Sequence, residues 1–169
     1  MIKRKIIDNE KAVLGMPVYL LVAIFVSALI ISLFVLSINT AINNSKVEEI
    51  KSEIEKIISE AENMFEYADE GTLVTVSVDF SESLRFVAFG SMPQNGVSQP
   101  TDYTLDETMS NNYYFVANDG KISSYSSNAR FSSDDTTQIA LFGPGSYDLK
   151  LELVKVIDKN GGKTYVTIS

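Results

Sequence analysis

Two pairs of carboxylates lie close enough along the chain to act together. Asp79 and Glu82 stand at the end of an alternating run, and Asp134 and Asp135 are adjacent within SSDDTTQ. Paired carboxylates perform acid–base and glycoside chemistry when a fold sets them about a shared pocket, and well-spaced oxygen donors hold calcium. Neither pair has that company here. Nothing in the sequence fixes Asp79 and Glu82 about a pocket, and Asp134 and Asp135 lack the spaced ligands and the glycine of a calcium loop, so a solvated turn is expected there. Histidine and cysteine are absent. Their absence removes the usual neutral-pH base, the Ser-His arrangement, thiolate nucleophiles, disulfides and the commonest zinc ligands. The expectation is a protein that is not an enzyme, with no catalytic residue, no metal and no cofactor.

Two other stretches offer chemistry to be done upon them. Asn43-Asn44-Ser45 matches an N-glycosylation acceptor, although Ser45 with Glu48 also fits a helix capping box. In KAVLGMPVYLL, Pro17 favours an extended Met16 and is itself at home as the first residue of a helix. The Gly15-Met16 bond is therefore expected to be unwound and open to proteolysis.

The element that must position that bond is apolar. Ala12 to Ser45 carries no charge, and its apolar heart, Val18 to Ile38, would span about 30 Å as a helix, one hydrocarbon core. Lys3, Arg4, Lys5 and Lys11 lie on its amino side, which places that end in the cytoplasm and the rest of the chain outside. A cleavable secretion signal has a shorter core, about 7 to 15 residues, with a small-residue site beyond it, and SINTA is a weak match to such a site. Ala23, Ser27 and Ala28 permit close helix approach and, with Leu20, Ile31 and Phe34, form the expected packing surface. Ordinary membrane-helix composition is the alternative account of the small residues.

A second periodic segment follows. Val47, Ile50, Ile54, Ile57, Ala61, Met64 and Ala68 recur at alternating steps of three and four, with Ile58 and Phe65 widening the stripe. This is an amphipathic helix with an acidic opposite face and a stop near Gly71. One long helix, yielding if anywhere near Asn43, is favoured over two helices joined by a polar turn.

From Thr72 the period becomes two. TLVTVSVDF, SLRFVAFG, YYFVAN, KISSYSS, TQIALFG and SYDLKLELVKVID read as short strands, and DKNGG as the hairpin connection to KTYVTIS. Such a sheet must cover its apolar face, and the carboxyl half of the long helix is available to do so. The 22 residues between Gly90 and Tyr113 form a loop that is either functional or a surface excursion. The predicted fold class is α+β, a long N-terminal helix, transmembrane then amphipathic, packed on an antiparallel β-sandwich or β-sheet head. The predicted division is a basic leader over 1–15, a long helix over 16–70 (membrane part about 17–38, amphipathic part about 45–69) and an extracellular head over 71–169.

Charge is distributed accordingly. The net charge of −8 divides into +2 over residues 1–11 (four basic, two acidic), −6 over 46–70 (three basic, nine acidic) and −4 over 71–169 (seven basic, eleven acidic). Nucleic-acid binding needs clustered lysines and arginines, so nucleic acid is excluded as a partner.

KAVLGMPVYLLVAIFVSALIISLF, behind a short basic leader and ahead of a helix and a β-rich head, resembles the prepilins of archaeal type IV pilus-like systems. The resemblance covers about the first 38 residues in residue type and the head in architecture alone. It implies that a membrane prepilin peptidase cuts after Gly15, leaving Met16 as the first mature residue. It further implies that the helix waits in the cytoplasmic membrane, head outside, until an assembly ATPase and a membrane platform protein build copies into an extracellular filament, major or minor subunit, for adhesion. Leu20 stands where bacterial-style pilins carry a glutamate, which weakens a bacterial assignment more than the family. The alternative is a membrane-anchored extracellular binding or stator-like module that keeps its amino end and does not polymerise.

Overall fold

The stripe at steps of three and four and the absence of proline between Pro17 and Tyr67 let one helix run far, and α1 spans Glu10–Tyr67. The computed structural model describes residues 10–93, 100, 102–158 and 161–169, apart from the side chains of 10–17 and 158. Helical backbone continues through Asn39–Asn44, so the helix does not melt near Asn43, and Ser45 and Glu48 do not open a new helix. Thr40 contributes there by donating its hydroxyl to the Leu36 carbonyl at 3.0 Å, so that its side chain serves the helix instead of competing with it. By its contacts the chain divides into two compact units, residues 1–44 and 45–169.

In the second unit, the helix stops where the sequence predicts. Gly71, at φ +84°, takes the left-handed conformation that L side chains resist, and the chain turns into β1. Eight strands follow among the described residues: β1 Leu73–Phe80, β2 Leu84–Phe89, β3 Asn112–Ala117, β4 Ile122–Ser126, β5 Phe131–Ser132, β6 Ala140–Phe142, β7 Gly145–Asp158 and β8 Gly161–Ile168. They form two four-stranded sheets, β1-β7-β8-β5 and β4-β3-β2-β6. Among the described residues every pairing of these strands is antiparallel except β5 with β8, which is parallel. The β7–β8 hairpin closes with Asp158 opposite Gly161, as DKNGG implies.

The core lies among three surfaces. Ile50, Ile54, Ile57 and Ala61 of α1 are buried with Phe80, Leu149 and Leu151 of one sheet and Leu84, Phe89 and Phe115 of the other. All of the predicted helical stripe enters this cluster, Phe65 and Ala68 at its margin. A second, smaller cluster, Phe86, Ala88, Tyr114, Val116 and Ile139, occupies the opposite face of the β4-β3-β2-β6 sheet, with Leu105 packed on it. Leu105 belongs to the long segment after Gly90, and Thr104 bridges to Gln138 beside it. That segment therefore covers a sheet face, at least over residues 102–110.

Candidate functional site

Unit 1 presents the site as a helix surface. The large apolar side chains from Val18 to Ile38 are 48 to 78% exposed, and this stretch is long and apolar enough to cross a membrane. Ser32 is compatible with lipid, because its hydroxyl donates to the Ala28 carbonyl at 2.8 Å instead of seeking water. At about 100° per residue, Leu20, Ala23, Ser27, Ile31 and Phe34 share one face and Ala28 flanks it. All six are exposed. Asn43 is exposed on the helix beyond the apolar stretch.

At the proposed processing point the backbone differs from expectation. Gly15, Met16 and Pro17 lie within α1, so the Gly15-Met16 link is helical and not extended. The physical reason is that Pro17 sits beside a strongly helical apolar run, where a helix loses one N–H donor at proline but unwinding would free several backbone groups. Residues 1–9, with Lys3, Arg4 and Lys5, lie outside the described residues.

In unit 2, two acidic side chains do more than keep a helix face wet. On the helical wheel Glu53 and Glu62 flank opposite margins of the apolar stripe, each roughly 80–100° from Ile54. Glu53 accepts from the Asp79 backbone N–H of β1 at 3.1 Å and from the Lys56 ammonium at 2.7 Å. Glu62 accepts from the Ser127 hydroxyl at 2.7 Å and the Asn128 N–H at 3.0 Å, just past β4. Lys51 lies over the Tyr125 ring of β4 at 6.0 Å. The amphipathic half of α1 is thus pinned on one flank to the outer strand of one sheet and on the other to the end of the outer strand of the second. On the β1 side the pin satisfies a backbone N–H of an outer strand that, among the described residues, has no further strand to pair with. Partial burial pushes the Glu53 carboxyl up, but the hydrogen bonds from Lys56 and from the Asp79 N–H, together with the Lys56 charge, outweigh it and hold Glu53 below its ordinary value.

The carboxylates singled out from the sequence go separate ways. Asp79 lines a cleft of about 350 Å³ with Glu53, Lys56, Ser77, Ser146 and Asp148, where it accepts the Ser146 hydroxyl at 2.7 Å. Ser77 is committed likewise to Asp148 at 2.6 Å. Glu82 is exposed in the β1–β2 turn and does not line this cleft. Asp135 organises its own turn, accepting from the Ser133 hydroxyl at 2.8 Å and from the Thr137 and Gln138 N–H groups, which hold its carboxyl below the usual range. Asp134 is exposed beside it.

Comparison with protein-family models, with curated proteins and with solved structures finds no match. The architecture itself is pilin-like at the level of general fold: one long N-terminal helix, apolar and exposed in its first half, with its second half packed on a small, largely antiparallel β head. It is a membrane-anchor helix joined to a β module. The pins Glu53 and Glu62 were hidden in the sequence because acidic residues on a helix ordinarily mark the solvated face. Their position at the two margins of the stripe was the available signal.

Proposed function

We propose that this chain is a structural subunit of an archaeal type IV pilus-like extracellular filament, inserted in the cytoplasmic membrane as a prepilin, trimmed after Gly15 and assembled through its apolar helix for surface adhesion. One observation carries the reading. The β head buries its own core with residues 47–64 of α1, while the large apolar side chains from Val18 to Ile38 stay about half to three-quarters exposed. That surface needs a bilayer or sibling helices, and covering each large residue is worth roughly 1.5 to 3 kcal/mol. In a filament the stripe Leu20, Ala23, Ser27, Ile31 and Phe34 faces neighbouring copies, with the small residues allowing close approach. Prepilin peptidase, an assembly ATPase and a membrane platform protein are the partners this role requires.

A second reading has one observation in its favour. Helical backbone across Gly15-Met16 shields the bond from a protease that needs extended substrate, which suits an uncleaved membrane-anchored binding or stator-like module. Amino-terminal sequencing separates the two. Protein sheared from cell surfaces is expected to begin at Met16; recovery solely from the membrane pellet with residues 1–15 attached would refute the filament subunit and support the anchored module.

A further inference from the structure

A polar pocket on the head has the makings of a ligand site that the filament role does not use. It measures about 440 Å³, within the range of small-ligand sites, and lies against Phe65, Glu107, Asn111, Ser127, Asn128 and Arg130. Its floor is rigid. Ser127 is buried with its hydroxyl bound to Glu62 and accepting the Ala129 N–H at 3.1 Å, and Asn128 is held through its backbone N–H by the same carboxylate. Burial then alternates: Ser127, Ala129 and Phe131 point in, while Asn128 and Arg130 point out.

Arg130 is fixed at its base and free at its tip. Its neighbours Ala129 and Phe131 are fully buried, and its carbonyl accepts from the Val166 N–H at 2.7 Å. Its guanidinium has no ion pair among the described residues, whereas Glu107 on the same pocket is paired with Lys163. An anchored guanidinium with an open fork matches a carboxylate through two parallel hydrogen bonds. Asn128 brings an exposed amide that both donates and accepts. Asn111, whose amide nitrogen donates to the Ser127 carbonyl at 3.5 Å and whose oxygen accepts from Asn112 at 3.2 Å, keeps one N–H and one lone pair to offer. Phe65 brings a half-buried aromatic side chain.

We infer that this pocket binds an acidic saccharide, its uronate carboxylate on Arg130, its hydroxyls on the amides of Asn111 and Asn128, and an apolar face of its ring against Phe65. Carboxylate, hydroxyls and an apolar C–H face occur together on a uronic acid, and the pocket supplies a complement to each. The site lies wholly within the second unit, residues 45–169, and stands whether or not the chain polymerises.

The test is calorimetric titration of the full chain in detergent micelles with trigalacturonate and, separately, with neutral galactotriose. Trigalacturonate is expected to bind at least tenfold more tightly than galactotriose. Arg130→Gln should weaken it tenfold or more without changing the thermal melt, while Arg85→Gln, at an exposed arginine on β2, leaves it unchanged. Equal weakening by the two substitutions would show attraction to charge in general and overturn the proposal. So would equal affinity for the two sugars, or no heat from either.

Discussion

The same substitution made in the two halves of α1 should have opposite consequences. Ile54 is 1% exposed inside the head core and Ile31 is 63% exposed on the apolar stretch. Isoleucine to alanine removes three carbons, worth about 2.4 kcal/mol at roughly 0.8 kcal/mol per buried group. The cavity left at Ile54, with Ile50 and Ile57 buried around it, raises the cost into a range of about 2 to 5 kcal/mol. Ile31→Ala has no folded neighbour in the chain to lose, and should leave head stability within about 0.5 kcal/mol of the parent. Urea unfolding of the full chain in detergent micelles, followed by near-ultraviolet circular dichroism of the head tyrosines, measures both. With a slope of about 1 to 3 kcal/mol per molar urea, a loss of about 3 kcal/mol lowers the Ile54→Ala midpoint by about 1 to 3 M. A cost under about 1 kcal/mol at Ile54, or an equal loss at Ile31, would refute the assignment of the two halves to different environments.

Three further outcomes follow from the head. Glu62→Ala removes the acceptor of two hydrogen bonds to Ser127 and Asn128 and should cost about 1.5 to 3 kcal/mol in the same urea assay, with Glu62→Gln, which keeps an acceptor oxygen, costing less. Because the folded state holds Glu53 below its ordinary value, its contribution is complete above the unfolded-state pKa, about 4.3. That contribution is lost as pH falls through the lower folded value. Urea midpoints measured from about pH 6 down to about pH 3 should show this loss in the parent and a shallower slope in Glu53→Gln. Gly90 and Gly71 share a φ of +84°, but a Cβ at Gly90 would sit 2.7 Å from the Phe131 carbonyl oxygen and 2.9 Å from Leu105 Cδ1, while at Gly71 it meets open space. Gly71→Ala should cost about the 1 to 2 kcal/mol of the left-handed backbone and Gly90→Ala clearly more, read as the difference in melting temperature.

Much of this fold can be read from residue type and spacing, and the parts that cannot share a cause. The stripe from Val47 to Met64 is legible because helical period and burial coincide, and each of its residues is buried. Strand β1 is legible for the same reason at period two, whereas β2 and β3, buried on both faces, read as nearly continuous apolar runs. The two-residue β5 escapes, since Phe131-Ser132 is too short to have a period and is defined only by its parallel pairing with Val166-Thr167. Sheet order escapes as well: β1 beside β7 depends on which chains meet across a sequence gap that no local pattern records. Glu53 and Glu62 illustrate the limit. Each is a charged residue that reads as solvated in sequence, and its role comes from what a distant element places opposite it. The sequence leaves the long segment after Gly90 open between a functional loop and a surface excursion, because Leu105, its contribution to the second core, is one apolar residue without periodic company.

The central claim is that the apolar half of α1 passes from lipid to a bundle of its own copies, and the lack of native cysteine allows it to be tested at a single position. Ser27→Cys places a thiol in the stripe that is proposed to face sibling helices. In material sheared from cell surfaces the account predicts a disulfide-linked dimer of this variant on mild oxidation, and a thiol shielded from a membrane-impermeant alkylating reagent. Absence of the variant from the sheared fraction, or its presence there as a freely alkylated monomer, would contradict the account.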